Sequence, residues 1–173
     1  MKFSHFSHVW AKPGLTPHER YEQLWRELQL CDETGFDHAF CVEHHFRPDE
    51  SWMSSPSLYA VGAGARTKRL RVGPMGYIVP LYHPLRLAEE IALVDQMLGG
   101  RMELGLVPGI NPDYFRPFGL DYERASRRRL NSSIICARPS ATRSRSRSTA
   151  RISIPTMRCW RCHQCSARIR RYG

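Results

Sequence analysis

Along the first 123 residues the apolar positions change rhythm repeatedly, and each change marks a new element. Lys2 to Val9 reads as an extended segment with Phe3, Phe6 and Val9 as its apolar members. Thr16-Pro17-His18-Glu19 then supplies an N-cap hydroxyl, a proline preset for a first helical turn and a glutamate that reaches back to the cap. Tyr21, Leu24, Trp25, Leu28 and Cys31 follow at helical spacing, an apolar stripe that predicts a helix ending near Gly35. Ala39-Phe40-Cys41-Val42 is a short apolar run of the kind expected for a strand covered on both faces.

The alternation continues downstream. Ser57 to Ala65 predicts a second helix, weakened by Gly62 and Gly64, and Leu70 to Gly73 a third strand. Pro84 to Leu98 carries the strongest helical pattern, with Leu85, Ala88, Ile91, Ala92, Val94 and Leu98 on its expected buried side and Gly99-Gly100 at its end. Met102 to Val107 predicts a fourth strand. Strands alternating with helices imply parallel pairing through right-handed crossovers, hence an α/β fold. Four such units amount to half of an eight-fold barrel or most of an open doubly wound sheet.

In either architecture ligands bind beyond the carboxyl ends of the strands, which singles out three loops. After the second strand comes Glu43-His44-His45-Phe46, a carboxylate and two imidazoles. Imidazole exchanges protons near neutral pH, so a histidine here suits a general acid or base. Adjacent side chains on an extended chain point apart, so His44 and His45 are not expected to serve one ligand atom. The same residues are also compatible with a solvated polar loop. After the third strand, Gly73-Pro74-Met75-Gly76 would let backbone approach a flat ligand at Gly76, or form a plain turn. After the fourth, Val107-Pro108-Gly109-Ile110-Asn111-Pro112 again lies at the binding face. No GxGxxG or phosphate-loop lysine pattern occurs.

Charge divides the chain. A length of 173 residues fits one domain with a net charge of +10. Yet all 16 acidic residues lie at or before Glu123, while 14 of the 26 basic residues follow it, so residues 1–123 are formally −4 and residues 124–173 formally +14. No apolar run approaches the roughly 18 to 20 residues of a membrane span, and the N-terminus lacks a signal-peptide pattern. A cytoplasmic protein with no membrane partner is the expectation. Cys31 and Cys41 sit in apolar patterns and read as small buried hydrophobes; Cys136, Cys159, Cys162 and Cys165 fall in the arginine-rich tail.

The order of motifs carries a family resemblance. The pieces are Gly35-Phe36-Asp37, Glu43-His44-His45-Phe46, Val72-Gly73, Pro80, His83-Pro84, Arg86, Ala88-Glu89, Leu93-Val94-Asp95-Gln96-Met97, Gly100-Arg101, Gly109 and Phe118-Gly119. Over residues 1–123 they resemble the bacterial luciferase-like family of flavin-dependent monooxygenases. The resemblance implies the N-terminal half of a (β/α)8 TIM barrel, usually dimeric, using reduced flavin mononucleotide (FMN) and O2 to oxidise a small organic substrate. It implies reduced flavin delivered by a flavin reductase. By the same resemblance His44 is the catalytic base near the oxygenated flavin, with Glu43 close to the cofactor. Met75 and Gly76 match backbone that supports the flavin ring, often through a non-proline cis peptide. Val107 and Gly109 lie in the loop that matches a further flavin contact. Val107 stands where luciferase has a reactive cysteine, and Pro108 where it has a phosphate-binding arginine. Both departures argue against light emission, and the second against phosphate binding through this loop. No metal site is implied.

The tail admits three readings. Arg143-Ser144-Arg145-Ser146-Arg147-Ser148 resembles an arginine–serine repeat that would bind nucleic acid, making the chain a barrel fragment with a basic arm. Cys159, Cys162, His163 and Cys165 offer zinc ligands, but crowded into seven residues they do not match the usual separated pairs. The favoured reading is translation in a shifted frame from between Glu123 and Leu130, since the tail has arginine without lysine. Back-translation of Asn131 to Arg138 and Arg158 to Gly173 permits, in another frame, a helix and a proline-rich segment like those of the family. On that reading residues 124–173 form an irregular tail, a nucleic-acid partner is not expected, and the chain as written is truncated. Half a barrel exposes strand edges, so weak flavin binding, poor solubility and no turnover are the expectation.

Overall fold

The structure is a computed structural model that describes residues 1–125. The chain divides into two units, residues 1–132 and 133–173. The second lies outside the described residues, as do the arginine–serine repeat and the Cys159–Cys165 segment.

The described residues alternate strand and helix: β1 (Ser4–Ser7), α1 (Pro17–Thr34), β2 (His38–Cys41), α2 (Pro56–Gly64), β3 (Arg71–Pro74), β4 (Tyr77–Ile78), α3 (Pro84–Met97) and β5 (Leu106–Val107). Short 3-10 turns occupy Val79–Leu81, Pro112–Tyr114 and Arg116–Phe118. β1, β2 and β3 pair in parallel in that order, with Phe6, Phe40 and Gly73 in register. β4 pairs in parallel with β5, and Met102 bridges to Val72. Val72 therefore faces Met102 while Tyr77 faces Leu106. Four residues, 73–76, oppose three, 103–105, so the third strand carries one extra residue, a bulge at its ligand end.

Local chemistry accounts for α1. Thr16 Oγ1 accepts from the Glu19 amide at 3.3 Å and Glu19 Oε2 accepts from the Thr16 amide at 2.8 Å, closing the expected capping box behind Pro17. Gly35 ends the helix at φ +90°, which a side chain rarely adopts, and the Phe36 amide bonds back to the Cys31 carbonyl. Leu24, Leu28 and Cys31 are buried, with Tyr21 and Trp25 packed against the same core. α2 is pressed between its neighbours: a Cβ on Gly62 would stand 3.0 Å from the Trp25 ring, and one on Gly64 would stand 2.8 Å from Leu98. The glycines that weaken the helical pattern are what let α2 approach α1 and α3.

Two expectations need correction, those for β2 and α3, and β1 shows why. In β1 the buried member is Ser7, while Phe6 is 50% exposed, because Phe6 points to the face away from the helices. For the same reason β2 is not covered on both faces among the described residues: Ala39 and Cys41 are fully buried under the helices, whereas Phe40 is only half-buried. In α3 the buried stripe is Leu87, Val94 and Leu98 with Ile91 beside it, and Leu85 is exposed. The helix is rotated so that Leu85, Leu93 and Met97 face outward.

Candidate active site

The loop after β2 folds back across the end of β1. Ser51 Oγ donates to the His8 carbonyl, the Trp52 amide donates to the Val9 carbonyl at 3.1 Å, and the His44 amide donates to the Met53 carbonyl at 2.8 Å. This return path brings His8, at the end of β1, against His44, at the end of β2, with ring centroids 5.5 Å apart and edge to face. Val9 at φ +52° and Phe46 at φ +58° flank the two histidines and are the non-glycine residues of positive φ among the described residues. Such backbone costs on the order of 1–3 kcal/mol per residue and persists where surrounding contacts over-determine it.

Glu43 and His44 have different roles in this geometry. The Glu43 side chain has no exposed surface. Its Oε2 accepts from the Ile78 amide at 2.7 Å, and its Oε1 accepts from the Tyr82 hydroxyl at 2.7 Å and pairs with His45 Nε2 at 2.8 Å. The carboxylate thus ties the end of β2 to β4 and to the segment leading into α3. Burial pushes the Tyr82 hydroxyl well above its ordinary range, and the Glu43 charge adds to the effect, so Tyr82 remains a donor. His45 continues the connection, its ring edge-on to Tyr114 and Phe118.

His44 lies in a second cluster. Its side chain is 22% exposed, but Nδ1 is buried, without a hydrogen bond, 3.5 Å from Glu50 Oε2. The Tyr114 hydroxyl donates to that same Oε2 at 2.9 Å, and Arg47 pairs with Oε1 at 3.0 Å. His8 is stacked on Trp10 with centroids 4.4 Å apart, and its own Nδ1 is buried and unpaired. Burial holds the His44 imidazole below its ordinary value, His8 and His45 push the same way, and Glu50 opposes them. Burial, with Glu50 beside it, pushes the Tyr114 hydroxyl up to about 12. The two adjacent histidines therefore address two different carboxylates.

The other anticipated residues gather around Ile78. A Cβ on Gly76 would stand 2.5 Å from Val107 Cγ1, so the glycine makes room for a neighbouring strand's side chain on that side. Gly73 is tighter still, since a Cβ there would stand 1.8 Å from the Glu103 carbonyl oxygen. Val107 is half-buried and in register with Ile78. Gly109 adopts φ +80°, and a Cβ there would stand 2.8 Å from Ile78 Cγ2. Met75 is 55% exposed, its amide bonded to the Cys41 carbonyl at 2.8 Å. No cis peptide occurs among the described residues, so the linkage anticipated at Met75-Gly76 is trans. His8, Trp10, Glu50, Tyr82 and Tyr114 were not anticipated. His8 could have been found by the strand-end rule that found His44, whereas Glu50 and Tyr114 carry no local signal.

Parallel β/α units with carboxylate–imidazole clusters at their strand ends define an α/β protein with proton-handling groups on its ligand face. A profile of the luciferase-like monooxygenase family matches residues 1–133, and the chain belongs to that family. It is 35% identical over 132 residues to the alkanal monooxygenase alpha chain of the Kryptophanaron alfredi symbiont, covering 76% of this chain and 36% of that relative. Among solved structures, the monooxygenase RslO1 of Streptomyces bottropensis superposes with a TM-score of 0.73 at 26% identity, over 84% of this chain and 46% of that one. The oxygenating constituent of 3,6-diketocamphane monooxygenase of Pseudomonas putida, solved with FMN, shares the fold at a TM-score of 0.69 and 24% identity, over 80% of this chain and 40% of that one. The chain spans less than half the length of each of these relatives.

Proposed function

We propose that the described residues are the first three β/α units and the fourth strand of an eight-fold barrel and carry the proton-handling side of a flavin-dependent monooxygenase site. The observation that supports this most is His44, whose partly exposed ring lies at a strand end between Glu50, His8 and Tyr114. In this reading His44 is the catalytic base and the substrate is a small organic molecule. A separate flavin reductase and a dimeric assembly complete the system, in the cytoplasm.

FMN combines a flat ring with a phosphate, and the two parts fit differently. Exposed Met75 and Trp10 offer apolar surface for a ring at the strand ends. Pro108 offers no charge to a phosphate, and Arg47 is committed to Asp49 and Glu50. The ring side is therefore supplied here, and the phosphate contacts are assigned to barrel units beyond residue 125. Reduced FMN, when bound, supplies the electron pair with which O2 gives one atom to the substrate and the other to water. His44 holds and moves a proton at its imidazole, with the charge it gains balanced by Glu50. The fully covered Glu43 side chain holds the Ile78 amide and Tyr82 in place beneath the expected cofactor surface. Gly76 and Gly109 shape the floor beside Val107, and Tyr114 with Phe118 limits water near the imidazoles.

The test is FMN titration and flavin-dependent O2 consumption, for the 173-residue chain and for a chain continued in the alternative frame after Glu123. The continued chain is expected to bind FMN and turn over, and its His44→Asn variant to lose about 100-fold or more in turnover. The chain as written is expected to do neither. Micromolar binding with turnover by the chain as written would overturn the truncated reading, and full activity of His44→Asn would overturn the catalytic role.

A further inference from the structure

Glu50 is held more firmly than an exposed loop carboxylate needs to be. The turn that carries it is closed by its own amide and that of Ser51, both donating to the Arg47 carbonyl, at 2.9 and 3.0 Å. Each carboxylate oxygen has an assigned partner, Arg47 on Oε1 and Tyr114, 64 residues away, on Oε2. The remaining side of Oε2 faces the buried Nδ1 of His44 at 3.5 Å. Among the described residues the other groups facing this ring are His8, edge-on from β1, Tyr114, tilted at 5.6 Å, and the adjacent His45. None of these gives Nδ1 a hydrogen bond. A buried ring nitrogen whose nearest polar neighbour is an anchored carboxylate carries the proton, because a bare lone pair there would face negative charge. The 3.5 Å separation needs to close by only a fraction of an ångström for that proton to bond Glu50, and the charged ring favours the closure.

We propose that Glu50 is a positioning residue for His44: it accepts the Nδ1 proton, fixes the ring in the Nδ1–H tautomer and leaves Nε2 as the nitrogen that takes and returns protons. The proposal goes beyond the catalytic reading of His44 and rests on it only for the use made of Nε2. The tautomer stands or falls independently.

The experiment is long-range proton–nitrogen NMR on the full 173-residue chain labelled with 15N-histidine, with the His44 signals assigned by their loss in His44→Asn. The neutral wild-type ring is expected as Nδ1–H. Glu50→Gln keeps an acceptor but not the charge, so the tautomer should persist while the His44 midpoint falls by about one pH unit. Glu50→Ala removes both, so the proton should move to Nε2. A merely structural Glu50 would leave tautomer and midpoint unchanged in any variant that folds. An Nε2–H ring in the wild type overturns the proposal without any variant, as does an unchanged midpoint in Glu50→Gln. An Nδ1–H wild-type ring combined with full turnover of His44→Asn in the continued chain would instead retain the positioning and discard the catalytic role.

Discussion

The two ends of this sheet's chemistry contrast sharply. Toward the helices, Ala39, Cys41 and Val72 are fully buried among Leu24, Leu28, Tyr59 and Leu70, and the packing is almost wholly apolar. At the carboxyl ends of the strands, the same chain gathers Glu43, His44, His45, Glu50 and His8, with two imidazole nitrogens buried and unpaired. The first region is stabilised by removing surface from water, a non-directional effect that tolerates exchange of one apolar residue for another of equal volume. The second depends on which donor meets which acceptor, and it carries strained backbone at Val9 and Phe46. Stability and chemistry are thus concentrated on different atoms of the same strands.

The largest effect should come from damaging the apolar side. Leu28→Ala removes a fully buried side chain from the core and is expected to cost about 2–5 kcal/mol in denaturant unfolding, with no change in the His44 titration in the folded fraction. Glu43→Gln blurs the boundary between regions. The isosteric amide keeps one acceptor oxygen for the Ile78 amide but turns its NH2 toward Tyr82 and His45, where the carboxylate had accepted, so about 1–3 kcal/mol is expected. A loss below a few tenths would show that Glu43 is not the tie between the strands. Thr16→Ala removes the α1 cap far from the site and should cost about 1 kcal/mol while leaving FMN binding by the continued chain unchanged.

The smallest effect is one of pH. Burial holds His5 and His44 below their ordinary value of 6.5, so the folded chain binds fewer protons at these sites than the unfolded chain. Their contribution is fully present above 6.5 and is lost as pH falls through the folded midpoints. Burial alone would raise Asp32, but the amides of Lys68, Arg69 and Leu70, with the Arg69 charge, outweigh it and hold the carboxyl below its ordinary 3.8. That contribution is lost at lower pH still. The melting temperature should therefore decline in two stages, first below about pH 6.5 and then below about pH 4. His8→Phe removes a neighbour that depresses His44 and should raise the His44 midpoint; no change would separate His8 from the cluster.

Much of the architecture was legible residue by residue. The Thr16–Glu19 box, the Gly35 terminus and the α1 stripe are local or periodic features, so their consequences do not depend on distant chain. His44 was legible because the end of a strand is a place that sequence alone can find. The half-buried Phe40 and the outward Leu85 were misplaced for one physical reason: apolar character states that burial is favourable, not which neighbour is present to provide it.

The α1 cap, the α1 face and the alternation of strand and helix were determined by the sequence itself, through backbone sterics and side-chain reach within a few residues. Tertiary structure decided the rest: that Glu43 would bond the Ile78 amide 35 residues on, that Tyr114 would anchor Glu50 beside His44, and that Gly73 and Gly76 would be needed for a neighbouring strand. These meetings depend on where the chain returns after each helix, and a hydrogen bond formed across such a return has no signature in the residues on either side of it.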